Sequence, residues 1–396
     1  MSLPRFIQIH TLHTYPAALL NRDDAGLAKR LPLGNAVRTR ISSQCLKRHW
    51  RVTEDQFSLA NLDVPMAIRS RSTLELISKR IQENGISATL AQAAAEALRD
   101  VGLLDKGGKD KKGEDALKTG QAVLLGKPEI DYLVRRCTEL AQGSADEKAL
   151  KAYIISALRD EKKNIEAIKL GSGLESALFG RMVTSDILAS REASVSVAHA
   201  FTVHQAQVEN DYFTVVDDLM QEAGDLGSAG IFDTELASGL YYGYVVVDVP
   251  QLLENLEGID AKDCFADRTP EERRELAGRV VQHLLHLIAT VSPGAKRGST
   301  APFDWAKFML VEAGDWQPRS LAGAFHNALP LDGADTIRQR AVARMSQEIS
   351  AMDEAYGAPL SRRFLALDAV DVPGAERANL ANLGEWASEI VRQGAC

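Results

Sequence analysis

Cysteine is scarce in this chain: four in 396 residues, Cys45, Cys137, Cys264 and Cys396, too far apart for a paired-cysteine spacing. That excludes a disulfide framework or a zinc ribbon and suits a reducing compartment. Long apolar runs are missing too. The longest, near Val245 and Leu284, are far too short to span a bilayer, and Met1-Ser2-Leu3-Pro4-Arg5 has no apolar signal core. A soluble cytoplasmic protein with no membrane partner is therefore expected. No internal period repeats, which excludes a solenoid. Net positive charge is also absent, with 46 basic against 54 acidic residues and a formal charge of -8. Such a chain does not coat nucleic acid by bulk charge, so any polyanion site must be local.

One absence is local and informative. No acidic residue lies between Asp24 and Glu54, while Arg22, Lys29, Arg30, Arg38, Arg40, Lys47, Arg48 and Arg51 crowd the segment from 22 to 51. Val37, Thr39 and Ile41 alternate with Arg38 and Arg40, as in a half-buried strand. A helix then starts at Ser42-Ser43. A serine cap leaves first-turn N–H groups and the positive end of the helix dipole facing an anion. Gln44, Lys47, Arg48 and Arg51 fall at i, i+3, i+4 and i+7 and share one face, with Cys45, Leu46, His49 and Trp50 opposite. A solvated basic face is the plain alternative. Leu33-Gly34-Asn35 is too thin for the glycine loop of a mononucleotide site, so a repeating phosphate chain fits better.

The rest of the chain supplies the frame. Phe6 to Leu12 reads as an opening strand ending at Pro16. From about Ser72 to Lys169 the spacing is helical, with breaks at Gly85, Gly102 and Gly143; Lys106 to Gly113 reads as a solvated glycine- and lysine-rich loop. Strand character returns at 177–183, 194–203, 213–216 and 240–249. Thr269-Pro270-Glu271-Glu272 starts a helix whose apolar stripe runs to Val291, where Ser292-Pro293-Gly294 stops it. A strand at 308–311 and helices near 336–355 and 381–392 follow. Strand, helix, helical insertion and strands together give an α+β class. His283 and His286 share a helix face but interrupt an apolar stripe, which favours packing over metal binding. No serine or cysteine sits beside a recognisable base motif, so neither a catalytic residue nor a cofactor is expected.

Several phrases carry a family resemblance. Leu20-Asn21-Arg22-Asp23-Asp24, Arg40 through Arg48, Gly180 through Ser185, Val197 through Gln205, Phe213 through Leu219 and Pro293-Gly294-Ala295-Lys296 occur in an order that resembles the CasC-type (Cse-type) backbone subunit of the type I-E CRISPR Cascade complex. The resemblance covers residues 5 to about 310 and is weak in the helical insertion and after Val311.

It implies a right-hand fold: a palm on a modified RNA-recognition-motif (ferredoxin-like) sheet, a helical finger insertion and a β-hairpin thumb. By position the palm would take 1–64, 171–184 and 216–396, the fingers 65–170 and the thumb 185–215. The implied function is non-catalytic: copies of the chain line up along a CRISPR RNA with other Cascade subunits, hold its phosphates, displace bases at intervals and present the guide to target DNA, in antiviral defence. Base pairing then reads sequence while protein reads backbone and shape. Carried over by position, Arg22, Arg38, Ser42, Gln44, Lys47, Arg48, Arg51, Lys296 and Arg297 would meet phosphate, Met182 would wedge a displaced base, and Phe201, Thr202 and His204 would act from the thumb. Tyr242 and Tyr244 lack the basic glycine motif that accompanies base-stacking sheet aromatics, and read as core or sheet surface. Two other classes stay open: a metal-dependent RNA nuclease using Asp23 and Asp24, although residues 25–53 offer no further carboxylate, and an assembly scaffold that binds no RNA.

Overall fold

The computed structural model describes residues 4–101, 117–119, 122–144, 146–161, 165, 168, 170–181, 190–216, 228–357 and 360–395. They form two compact units, one from Met1–Leu59, Ser196–Val249 and Gly278–Cys396, the other from Ala60–Val195 and Pro250–Ala277. The strands are β1 (Phe6–Ala18), β2 (Arg30–Leu33), β3 (Ala36–Ile41), β4 (Ala67–Ser70), β5 (Val123–Gly126), β6 (Val195–Val197), β7 (Ala200–Thr202), β8 (Gln207–Val216), β9 (Ser228–Asp248), β10 (Phe308–Gly314), β11 (Ser361–Ala366) and β12 (Ala375–Arg377).

The first unit is built on a mostly antiparallel sheet whose main path runs β12-β11-β10-β1-β9-β7-β3-β2. This is the α+β class the sequence predicts. β1 lies between β10 and β9, and its residues Phe6 to Leu12 are all buried, as a strand covered on both faces requires. On one face Leu12, Tyr242, Leu310 and Phe364 pack with Leu321, Phe325, Met345 and Ile349. The helices Glu275–Thr290 and Leu380–Gln393 approach closely at two glycines. A Cβ on Gly278 would meet Ser388, and one on Gly384 would meet Gln282 and His286. His286 itself stacks on Phe57 with ring centres 3.6 Å apart, a packing role.

Four local expectations change. β1 continues through Pro16 because the pairing register shifts between Tyr15 and Ala18, where a residue with no N–H is tolerated. Residues 174–179 form a helix instead of a strand, bracketed by Gly173 and Gly180 at positive φ; a short apolar run does not separate the two by periodicity. The strand expected at 194–203 is split into β6 and β7. β9 reaches back to Ser228, and its first part pairs with β8 from Gln207↔Ser238 to Val216↔Ser228. This antiparallel ribbon stands where the sequence suggested only a short strand at 213–216.

In the second unit the helices α2 (Thr73–Glu83), α3 (Ala88–Asp100), α4 (Lys127–Gln142) and α5 (Glu147–Asp160) surround a core that includes Leu74, Ile77, Leu98, Leu133, Ile154 and Leu158. β4 and β5 form a two-stranded sheet beside them. Arg181 makes a buried bidentate pair with Glu129, at 2.6 and 2.8 Å. The Lys106 to Gly113 loop lies outside the described residues.

A carboxylate without solvent holds the first unit's sheet together. Glu312 on β10 is fully buried and accepts from Arg319 (Nη1 2.5 Å, Nη2 2.8 Å), Arg362 Nε (2.6 Å) and His10 Nε2 (3.1 Å). Arg362 in turn forks onto Asp353 of the Ile337–Tyr356 helix. Burial raises the Glu312 pKa, but the donors from His10 and Arg319 outweigh it and hold the group ionised, well below the usual carboxylate range. Tyr242 Oη donates to His10 Nδ1 (2.9 Å), which leaves the imidazole neutral. Glu312→Gln removes the carboxylate shared by the buried Arg362, which keeps Asp353, and the partly exposed Arg319, and is expected to cost about 3–5 kcal/mol in denaturant unfolding; a loss below about 1 kcal/mol would contradict the clamp.

The histidines set the acid limit. Burial is the largest effect on His10, His13 and His204, and all three have lowered pKa values. Below the ordinary value of about 6.5 the unfolded chain takes up protons that these folded imidazoles refuse. Stability is therefore full above that pH and declines as pH falls from about 6.5 toward 5. Thermal unfolding across this window checks the sign, and a flat or rising melting temperature would be the wrong result.

Candidate nucleic-acid interface

The helix α1 (Ser43–Val52) begins as its sequence predicts. Ser42 Oγ accepts from Cys45 N–H at 3.3 Å, no acid occupies the first turn, and Trp50 is buried. Asn21 ties the start down. Its Oδ1 accepts from Ser42 N–H (2.9 Å) while its carbonyl accepts from Lys29 N–H (2.9 Å), so one residue sets the loop against the helix. Lys29 O then accepts from Arg40 N–H on β3.

Gln44 and Arg48 are exposed and Lys47 and Arg51 half-buried, as a docked amphipathic helix places them. Partial burial lowers the Lys47 ammonium pKa. Lys296 and Arg297 arrive from a different part of the chain. Their loop is fixed by Ala295 N–H donating to Leu19 O (2.9 Å), and both side chains are exposed. Electrostatics locate the cluster: burial lowers the His49 pKa, and Arg297 and Arg48 push it further down. At Cys45 burial raises the thiol while Lys29 and Arg48 pull it back. At His199 burial is again the largest effect, followed by Arg40 and Lys29. Four segments, the 22–30 loop, β3, α1 and 296–297, thus bring cations to one neighbourhood, where like charges raise each other's energy and favour an anion.

Lys29 and Arg40, counted in the basic segment by sequence but not carried over as phosphate contacts, belong to this cluster. Their signal was charge alone, and only the fold shows Arg40 Nη1 bonded to His199 Nδ1 at 2.9 Å. Arg30, by contrast, pairs with the buried Glu235, which also accepts from Ala28 N–H. Arg22 is exposed and bridges to Ala28 in the same loop.

Four sequence candidates sit elsewhere. Arg38 is fully buried and donates to the carbonyls of Thr202 (3.0 Å), Phe325 (3.0 Å) and His326 (3.4 Å). It braces the sheet against the 321–329 segment and does not face solvent. Phe201 lies in the core, edge-on to Tyr242 with centroids 5.7 Å apart. Thr202 Oγ1 donates to His204 O and accepts from Thr39 N–H. His204 Nδ1–H donates to Gln205 O (2.7 Å) and Nε2 accepts from Leu240 N–H (3.1 Å). The side-chain polar atoms of Thr202 and His204 are satisfied inside the protein. Met182 lies outside the described residues.

Asp23 Oδ1 caps its own loop, accepting from Ala25 and Leu27 N–H, and both Asp23 and Asp24 are exposed. Among the described residues no group of three or more His, Cys, Asp or Glu is arranged to hold a metal ion, and no helix is long and apolar enough to cross a membrane.

A sequence model for CT1975-like proteins matches residues 7–389. The chain belongs to the CT1975-like family. Solved structures agree: a chain of a CRISPR RNA-guided surveillance complex, pre-nicking, superposes with a TM-score of 0.74 at 26% identity, over 97% of this chain and 100% of that one. A chain of another CRISPR RNA-guided surveillance complex gives 0.65 at 24% identity, over 96% and 99%, which speaks for the fold. A comparison with curated proteins found no match. A member of this family with a surveillance-complex fold thus carries its cation cluster where β1 and β3 deliver the 22–30 loop and α1.

Asn21→Ala removes the acceptor for Ser42 N–H, and Ser42→Ala removes the cap; each is expected to cost about 1 kcal/mol of unfolding free energy. Chemical denaturation checks this, and no loss in either variant would show that the helix start does not depend on them.

Proposed function

We propose that the protein is a non-catalytic, CRISPR RNA-binding backbone subunit of a Cascade-type surveillance complex. The observation that carries this is the convergence of Lys29, Arg40, Arg48 and Arg297 on one neighbourhood of an otherwise acidic chain, with Lys47 and Lys296 beside them in sequence. The surveillance-complex fold supports it. Arg22, Gln44 and Arg51 extend the phosphate track, and Ser42 organises the helix end that borders it.

A short cationic track suits a subunit that holds a few phosphates and relies on further copies for the rest of the strand. The sequence phrases that resemble the type I-E backbone favour that subtype, with other Cascade subunits as partners, target DNA met through the guide and the cytoplasm as the setting. The protein would contact backbone and leave base edges to pairing. Asp23 acts in loop geometry on this reading, not in phosphodiester cleavage.

The test is binding of labelled single-stranded RNA as a function of salt. Lys47→Ala and Arg48→Ala should each weaken binding equally across unrelated sequences and reduce the slope of log K against log salt by about 0.7 per lost contact. A loss confined to one sequence, or unaltered slopes, would refute the phosphate assignment.

A further inference from the structure

Phe303 and Trp305 are both 71% exposed, and among the described residues no large apolar side chain is more exposed. The loop that carries them is firmly held. Asp304 between them donates its N–H to Ser292 Oγ (2.9 Å), accepts from Ser292 Oγ at its carbonyl (3.0 Å) and accepts from Thr14 N–H at its carboxylate (2.7 Å). Ala306 N–H donates to Ala289 O (2.7 Å) and Lys307 N–H to Leu12 O (2.8 Å). Asp304 also pairs with Lys307. Anchoring residue 304 inward turns its two neighbours outward, so the aromatics are displayed by a fixed backbone with little ordering entropy left to lose on binding.

The patch adjoins the cation cluster. The Arg297 guanidinium carbon stands 5.9 Å from the Phe303 ring centre, and the same Arg297 acts on His49 of α1. Aromatic faces next to a group of cations match a ligand that carries both π surfaces and phosphates, which a single-stranded nucleic acid does. An apolar protein partner would gain nothing from the charge.

We propose that Phe303 and Trp305 form a base-stacking platform that receives unpaired nucleobases of the strand whose phosphates lie on α1 and the 296–297 loop. This rests on the phosphate-binding reading above and adds the strand's bases as a second point of contact. Stacking is indifferent to base identity, so the platform strengthens binding without choosing a sequence.

The experiment compares a labelled oligouridine with an abasic oligoribonucleotide of equal length, at one salt concentration. Trp305→Ala should weaken oligouridine binding by about tenfold and leave abasic binding unchanged, with Trp305→Phe restoring most of the loss. Phe303→Ala should act in the same direction. Arg48→Ala should weaken both ligands. If Trp305→Ala binds both ligands like the parent while Arg48→Ala weakens both, stacking is overturned and the phosphate site stands. If the parent binds neither, both readings fall. Loss of self-association in Trp305→Ala with oligouridine affinity intact would assign the patch to a second copy of the chain and overturn the platform. Both side chains lie at the surface, and thermal unfolding of each variant confirms an intact fold.

Discussion

The Glu312 carboxylate is the constraint on which the sheet is assembled. A lone anion inside a strand would be prohibitive, so its position demands His10 from β1, Arg362 from β11 and Arg319 from the following loop. Those partners fix the mutual register of three strands and, through Asp353, the helix that covers one face. β1 is the strand most affected. It leads into the 18–30 loop and forms the floor on which Ser292 and Asp304 anchor, through Tyr15 and Thr14. The candidate interface is therefore built on the rigid end of a strand whose other end is locked by charge.

Buried and exposed arginines divide the labour. Arg38 and Arg48 are ten residues apart in a segment that is uniformly basic, yet one is sealed under carbonyl oxygens and the other faces water. Arg38 closes the core beside Phe325, and Gly34 lies so close to the His326 carbonyl that no Cβ would fit. The β2–β3 turn is thereby pressed against the same segment that Arg38 holds. Changing Arg38 would disturb the frame, whereas changing Arg48 would disturb only the charge presented. A loss of binding in the first case would thus say little about phosphate contact.

What was legible in the sequence follows from where local chemistry dominates. The α1 start, its cationic face and the docked Trp50 are short-range features and were readable from Ser42 to Arg51. The helical insertion and the helix ending before Ser292 were readable for the same reason. Alternation alone told that Arg38 and Thr39 point opposite ways, but not that both are covered, because that depends on β7 and the 321–329 segment. Phe201 and His204 lie in a motif of mixed polarity that a hairpin and a sheet edge share; only pairing with β9 decides between them. Phe303 and Trp305 gave no signal, since their exposure is created by distant anchors on Asp304.

Charge and stacking would place opposite demands on the chain, and their separation in the fold meets both. Cations must remain hydrated and mutually close, which disfavours a well-packed base beneath them; α1 meets this by burying Trp50 and spending its polar face on Gln44, Lys47, Arg48 and Arg51. Aromatics in water must be held out against collapse onto the core, which requires a backbone with no freedom to fold them inward; the hydrogen bonds around Asp304 supply it. A helix start readily supplies the first and a pinned loop the second. Arg297 lies between them, within reach of His49's field on one side and of the Phe303 ring on the other. A strand crossing that residue would exchange phosphate contact for base contact within a nucleotide or so, which makes Arg297 the point where backbone grip and base support must agree in register.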